Sequence, residues 1–182
     1  MKNKTNNLQL ATCNFKGRIL FNVPMKEYTS MRIGGPADVI AFPINGDDLQ
    51  EILEFAYTKD FPVFFLGAGT NLLVKDSGIR GVVISLTHGF KEILWENENK
   101  AVAGAGVKLA EIVNECKVRG LSGIEWAVQI PGTIGGAVAM NAGAYNSEMK
   151  DVVVGIDVMD IKGDREFIKK GDLRFSYRSC IL

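Results

Sequence analysis

Apolar residues recur at helical spacing in two stretches of the chain. Leu49, Ile52, Leu53, Ala56 and Tyr57 share one face of a helix expected over residues 45–59, with Asp48 and Glu51 forming a capping pattern and Pro62 beyond its end. Leu109, Ile112, Val113 and Cys116 share one face of a second helix over 107–119, which Gly120 stops. Short apolar runs bounded by turn residues predict strands: ILFNV ahead of Pro24, then 37–42, 63–66, 72–74 and 82–86. Strand, helix, strand and a glycine loop follow one another in the first half, the order of a βαβ unit. In the second half, 93–95 and 101–103 predict a hairpin around ENENK, and 122–128 a helical turn. Two strands over 152–160 and 166–169 turn at Lys162-Gly163-Asp164, and 173–178 reads as a last strand. The whole is α+β, with a mixed or antiparallel sheet in the second half and a boundary between the halves near 86–91.

Composition narrows the function classes. Of 182 residues, 47% are hydrophobic and 23% charged, and 21 basic residues balance 21 acidic ones. That apolar content and neutral balance exclude an intrinsically disordered chain. Without a basic excess, the chain is not expected to bind nucleic acid. Cys13, Cys116 and Cys180 lie far apart with no CxxC pair, so neither a disulfide framework nor a metal site is expected. His88, the single histidine, has no cysteine or carboxylate partner at a telling spacing and reads as a loop residue; Trp126 reads as core and Glu125 as a cap or surface charge. The start, MKNKTNNLQL, lacks the apolar core of a signal peptide, and residues 1–21 read as a loose leader. The uncharged run 126–147 is long enough to span a bilayer, but Gln129, Pro131, Asn141, Asn146 and its glycines argue against a membrane helix. A cytoplasmic protein without a membrane partner is the expectation. Nothing in the pattern sets an oligomeric state.

Glycine is the outlier. Twenty residues of 182 are glycine, against an average near ~7%, and they sit among valine, isoleucine and alanine rather than in a linker. Glycine lets another group approach the main chain closely, so the excess points to a ligand lying against backbone. Three segments carry candidate chemistry. FFLGAGTNLLV ends a buried strand in a loop whose N–H groups could cradle a phosphate, although it matches neither G-x-G-x-x-G nor a Walker loop; a plain turn is the competing reading. IPGTIGGAVAMNAGAY offers a surface almost free of side chains, with Thr133 and Asn141 as the polar groups left to orient a flat ring system or a pyrophosphate. A tight helix–sheet crossover explains the same composition, which does not choose between the two. In RFSYRSC, Arg178 follows Tyr177, and a guanidinium suits a carboxylate or phosphate; a solvated surface charge is the alternative.

Taken in order, TSMRIGGPAD, LGAGTNLLV, GIEWAVQIPGTIGGAVAMNAGAY and FSYRS resemble the UDP-N-acetylenolpyruvoylglucosamine reductases, also called UDP-N-acetylmuramate dehydrogenases. The resemblance runs from about Asn22 onward. It implies a two-subdomain FAD-binding fold of the vanillyl-alcohol-oxidase type, with subdomains over 22–88 and 89–182 and FAD between them. It implies FAD held non-covalently, NADPH as co-substrate and a UDP-sugar as substrate. The loop of Leu66, Gly67, Ala68, Gly69, Thr70, Asn71, Leu72 and Leu73 would then wrap the FAD pyrophosphate. Ile130, Pro131, Gly132 and Thr133, with Gly135, Gly136, Ala137, Met140, Asn141, Gly143 and Ala144, would line the isoalloxazine and ribityl portions. Arg178 would be the active-site arginine, binding the substrate carboxyl together with Tyr177. Members of the family carry a further substrate-binding domain after the YRS segment, which supplies a serine proton donor and a glutamate. This chain stops at Leu182, so the resemblance implies FAD binding without those two groups. It departs from the family pattern at Gln129 and Asn146, where glycine is common, and at Cys180, where serine is expected.

Overall fold

The computed structural model of the protein describes residues 15–181. The leader expected over 1–21 lies outside them as far as residue 14, and so does Cys13. The chain divides into two compact units: one runs up to Gly89 and includes Met159–Asp164, and the other comprises Phe90–Val158 and the residues from Arg165 onward.

The first unit is a four-stranded sheet. Its strands are β1 (Arg18–Pro24), β2 (Pro36–Phe42), β3 (Val63–Leu66) and β4 (Ile79–Ser85), with α1 (Gly46–Thr58) between β2 and β3. The sheet order is β1-β2-β4-β3; β1 pairs antiparallel to β2, and β4 pairs parallel to both β2 and β3. The expected βαβ unit is therefore split, because β4 lies between β2 and β3. Burial explains the order. Val82, Val83 and Ile84 of β4 are wholly buried, as suits a strand covered on both faces, whereas Phe64 and Phe65 of β3 are exposed and stand at the edge. Each such buried Val or Ile contributes about 1.5–3 kcal/mol relative to exposure. Met25, Ala37, Ile40, Phe42, Leu66, Val74 and Val83 form one continuous core. Residues 72–74 form no strand; Val74 reaches this core from a loop while Leu73 faces solvent.

The helix α1 begins differently from the expected Asp48–Glu51 cap. Asn45 is the N-cap, its side chain accepting from the Asp48 amide at 2.9 Å. The Asp48 carboxylate is buried and accepts instead from the amides of Lys16 (3.0 Å) and Ile44 (3.2 Å). Asp48→Ala would leave both amides without that partner. It is expected to lower stability by about 2–3 kcal/mol, read from chemical denaturation. Phe55, rather than the predicted Tyr57, completes the buried face; Tyr57 is exposed and Phe55 stacks on Phe61 at 6.0 Å.

The second unit contains only two-stranded antiparallel ladders among its described residues. They are β5 (Ile93–Trp95) with β6 (Ala101–Ala103), β7 (Gly143–Ala144) with β8 (Ser147–Glu148), and β9 (Gly155–Met159) with β10 (Arg165–Lys169). The last pair is β11 (Arg174–Ser176) with β12 (Ser179–Ile181). Helices α2 (Leu109–Val118), α3 (Ile134–Ala139) and α4 (Met149–Val152) alternate with them. Leu109, Val113, Trp126, Ala127, Ala137 and Met149 make the core. Trp126 belongs there as expected, its indole N–H donating to the Gly123 carbonyl at 3.2 Å, and the Glu125 carboxylate accepts from the Gly123 amide at 2.7 Å. The strand expected over 152–160 starts only at Gly155, because Val152 closes α4.

Among the described residues no helix is long and apolar enough to cross a membrane. The uncharged run 126–147 is cut into a 3-10 turn, α3 and β7 instead. The turn joining β7 to β8 places Tyr145 (φ 53°) and Asn146 (φ 62°) in the left-handed region, the arrangement favoured for a two-residue hairpin loop. Glycine takes that conformation without steric cost and asparagine tolerates it, which accounts for asparagine at a position where the resemblance expects glycine. Asn146→Gly is expected to raise the melting temperature by about 2–4 °C, for a gain of about 1 kcal/mol, in a calorimetric scan.

Candidate functional site

In the first unit, β2, β3 and β4 run parallel, so Phe42, Leu66 and Ser85 all stand at carboxyl ends. A cleft of about 330 Å³ opens there, the place where open α/β sheets bind ligands. Leu66, Gly67 and Ala68 line it on one side. Besides Glu27 and Phe42, the rest of the lining is Tyr28, Thr29 and Ser30, and then Ser85, Thr87 and His88. Pattern reading singled out none of those six for this site. They come from two segments remote in sequence from the glycine loop, brought to it by the sheet and, at Ser30, by hydrogen bonds.

The glycine loop is anchored by its carbonyls. The Gly69 carbonyl accepts from the Ser30 amide at 3.0 Å, and the Thr70 carbonyl from the Ser30 hydroxyl at 3.5 Å. In a trans peptide the next N–H points opposite to the carbonyl, so the Thr70 and Asn71 amides are directed away from Ser30. Gly69 has a structural reason to be glycine. Its φ is 66°, and a Cβ there would overlap the Tyr28 carbonyl oxygen. Gly35, which a Cβ would drive into the Asp76 carbonyl, and Gly78, which meets the Pro36 carbonyl, are likewise places where two backbones touch. Much of the glycine excess therefore serves packing within the protein.

The small-residue stretch of the second unit separates into two groups. Gly135 packs on Ala105, whose Cβ would lie 2.9 Å from a new Cβ, and its amide donates to the Ala105 carbonyl at 3.0 Å. Gly143 is filled in by Glu148 across the β7–β8 ladder. Ala137 points into the core. Gly132 and Gly136 are different. Among the described residues, a Cβ at Gly132 would meet Leu109 Cδ1 at 4.0 Å, and one at Gly136 would meet Thr133 Oγ1 at 3.5 Å, with no closer contact outside their own helix backbone and chain neighbours. The described residues leave the space beside them open, and Pro131, Gly136, Ala139 and Gly143 are exposed. A flat cofactor fits such a surface.

The two polar groups expected to orient a ligand are committed elsewhere. Thr133 is buried, caps α3 and accepts from the Gly136 amide at 3.4 Å. Asn141, buried with φ 40°, donates to Glu148 Oε2 (2.7 Å) and the Ser176 carbonyl (3.2 Å) and accepts from the Lys150 amide (3.1 Å). Lys150 and Glu148 also form an ion pair, which holds the Lys150 ammonium above its ordinary range. The Asn141 bond to Ser176 ties the small-residue stretch to the β11–β12 hairpin, and α3 packs against β12. The strand expected over 173–178 is this hairpin. Tyr177 and Arg178 are its two-residue turn, both exposed, with Arg178 at φ 58°. The structure thus brings Arg178 and Gly136 onto neighbouring elements of one unit. Cys180 lies on β12, and partial burial raises its thiol above the usual range. Among the described residues no group of three or more His, Cys, Asp or Glu side chains is placed to hold a metal ion.

The FAD binding domain family matches residues 37–167. The UDP-N-acetylenolpyruvoylglucosamine reductase of Caldanaerobacter subterraneus subsp. tengcongensis is 46% identical over 167 residues, 92% of this chain and 55% of that protein. The protein of that name from Clostridioides difficile is 38% identical over 183 residues, 100% of this chain and 60% of its own. The chain thus spans little more than half the length of these curated relatives. Among solved structures, UDP-N-acetylenolpyruvylglucosamine reductase from Thermus caldophilus superposes with a TM-score of 0.77 at 34% identity, covering 91% of this chain and 57% of that one. 6-Hydroxy-D-nicotine oxidase from Arthrobacter nicotinovorans shares the fold at a TM-score of 0.64 and 17% identity, over 87% of this chain and 37% of that one. The fold is the α+β FAD-binding fold of the vanillyl-alcohol-oxidase type, and the chain belongs to the FAD binding domain family, resembling within it the FAD-binding part of the UDP-N-acetylenolpyruvoylglucosamine reductases.

Proposed function

We propose that this chain is the FAD-holding part of a reductase that uses NADPH to convert the enolpyruvyl ether of UDP-N-acetylglucosamine into UDP-N-acetylmuramate, a cytoplasmic step of peptidoglycan synthesis that serves cell shape and division. The observation that carries the reading is the open space at Gly136 beside the hairpin that presents Arg178. Residues 67–73 hold the diphosphate through main-chain amides, and residues 130–133 and 136–143 present their side-chain-poor surface to the ribityl chain and ring system. Bound FAD would supply hydride transfer from NADPH to the vinyl carbon, and an acid would protonate the neighbouring carbon; the protein positions and polarises. Arg178, with Tyr177 beside it, holds the enolpyruvyl carboxylate. The fixed fork of the guanidinium suits a planar anion, and its charge stabilises the negative charge that builds on that carboxylate as hydride arrives.

The test is stepwise. The purified chain is mixed with FAD, and retained flavin is measured after gel filtration; a colourless protein that ignores added FAD sinks the reading. NADPH is then added without oxygen and the flavin absorbance followed. Reoxidation by the UDP-sugar, and not by simple alcohols, supports the proposed substrate. Reoxidation by another acceptor instead assigns the chain to a different oxidoreductase of this fold, and FAD that is bound but never reduced makes it a non-catalytic module.

A further inference from the structure

We infer that His88 is a side-chain donor to the FAD diphosphate, aimed by a hydroxyl relay that starts at Ser85; the inference rests on the FAD reading above. The residues stand together in the first unit's cleft, whose lining also includes Gly67 and Ala68. Ser85 is buried, and its Oγ lies 2.9 Å from Thr87 Oγ1. Thr87 Oγ1 lies 3.4 Å from His88 Nδ1. The imidazole also stands edge-on to the buried Phe42 ring, 4.4 Å between centroids at 62°. Two contacts therefore fix the ring.

Both contacts permit donation in either sense; the proposed relay takes the one that runs from Ser85 toward the ring. When Ser85 donates to Thr87 and Thr87 donates to Nδ1, the neutral imidazole carries its proton on Nε2 and offers it as a donor. The ring's contact with Thr87 is made at Nδ1, the other ring nitrogen. Among the described residues, the cleft lining holds one carboxylate, Glu27, and no lysine or arginine. A diphosphate there would be met by main-chain amides, hydroxyls and this imidazole, so His88 contributes the strongest side-chain donor available. Periodicity and spacing could not find it, because the relay joins the end of β4 at Ser85 to Thr87 and His88 in the turn that follows, with no recognised motif.

The experiment measures FAD affinity by quenching of flavin fluorescence, with ADP as a competing ligand, for the unaltered chain and for His88→Phe, His88→Gln and Thr87→Val. His88→Phe is expected to weaken both FAD and ADP about tenfold, the loss of one hydrogen bond to a charged acceptor. His88→Gln keeps an N–H donor and is expected to retain affinity within about threefold. Thr87→Val removes the relay and is expected to fall between them. Unchanged FAD affinity in His88→Phe and Thr87→Val overturns the inference, as does a loss of FAD affinity without a matching loss for ADP. An unaltered chain that binds FAD but is not competed by ADP overturns this inference and leaves the FAD reading standing. An unaltered chain that takes up no FAD overturns both.

Discussion

Arg178→Ala is expected to slow reoxidation of the reduced flavin by the enolpyruvyl substrate about a hundredfold or more, the usual loss when one donor to a developing anion is removed. FAD retention should hardly change, because the assigned contact is with the substrate carboxylate. Single-turnover absorbance at the flavin band measures the first quantity and gel filtration the second. Arg178→Lys should recover only part of the rate, since an ammonium cannot reproduce a bidentate fork. Arg178→Gly separates function from folding. The residue occupies a hairpin turn at φ 58°, a conformation that costs a non-glycine residue about 1–2 kcal/mol. Glycine there should raise the melting temperature by about 2–4 °C while abolishing the same catalytic contribution. A variant that is both more stable and far slower marks strain retained for chemistry. An Arg178→Gly protein with undiminished reoxidation would remove Arg178 from the site.

Gly136→Val is expected to cost tenfold or more in FAD affinity with little loss of stability, and Gly69→Val is expected to cost stability first. The difference lies in what surrounds each position. At Gly136 the protein leaves space, with Thr133 Oγ1 at 3.5 Å as the nearest atom. A side chain there would displace cofactor rather than protein. Gly136→Ala sharpens the test: in the first turn of α3, where its φ is not left-handed, it should stabilise the fold by about 0.5–1 kcal/mol while weakening FAD. At Gly69 a Cβ would run into the Tyr28 carbonyl from a backbone at φ 66°, so the loop must move and the anchoring bonds to Ser30 go with it. Fluorescence titration beside thermal melting resolves the two mechanisms. Equal FAD affinity for Gly136→Val and the unaltered chain would mean that the open surface of α3 faces no cofactor.

Local periodicity was sufficient for several elements. The apolar spacing from Leu49 to Ala56 yields α1, the run 63–66 yields β3, and the ENENK hairpin forms as expected, because each depends on neighbours in sequence. Motif order likewise led to the family and the fold class, since four segments in fixed succession are specific even when each is loose. Strand order was not legible: the placement of β4 between β2 and β3 depends on Val82, Val83 and Ile84 needing cover on both faces, a demand that only the assembled layers can meet. The turn at Tyr177 and Arg178 was also hidden, because an alternating segment reads as one strand until its two ends find each other. Composition announced an excess of glycine but could not say which glycines touch protein and which face open space. Gly35, Gly69 and Gly78 are required by another backbone, whereas Gly132 and Gly136 are left bare. That distinction is a matter of distances between residues remote in sequence, and so is the grouping of Ser30, Gly67 and His88 around one cleft. The sequence by itself determined the kinship and those elements that rest on neighbours in sequence; the tertiary structure decided which main chain is available to a ligand, because availability is what remains after packing has filled the rest.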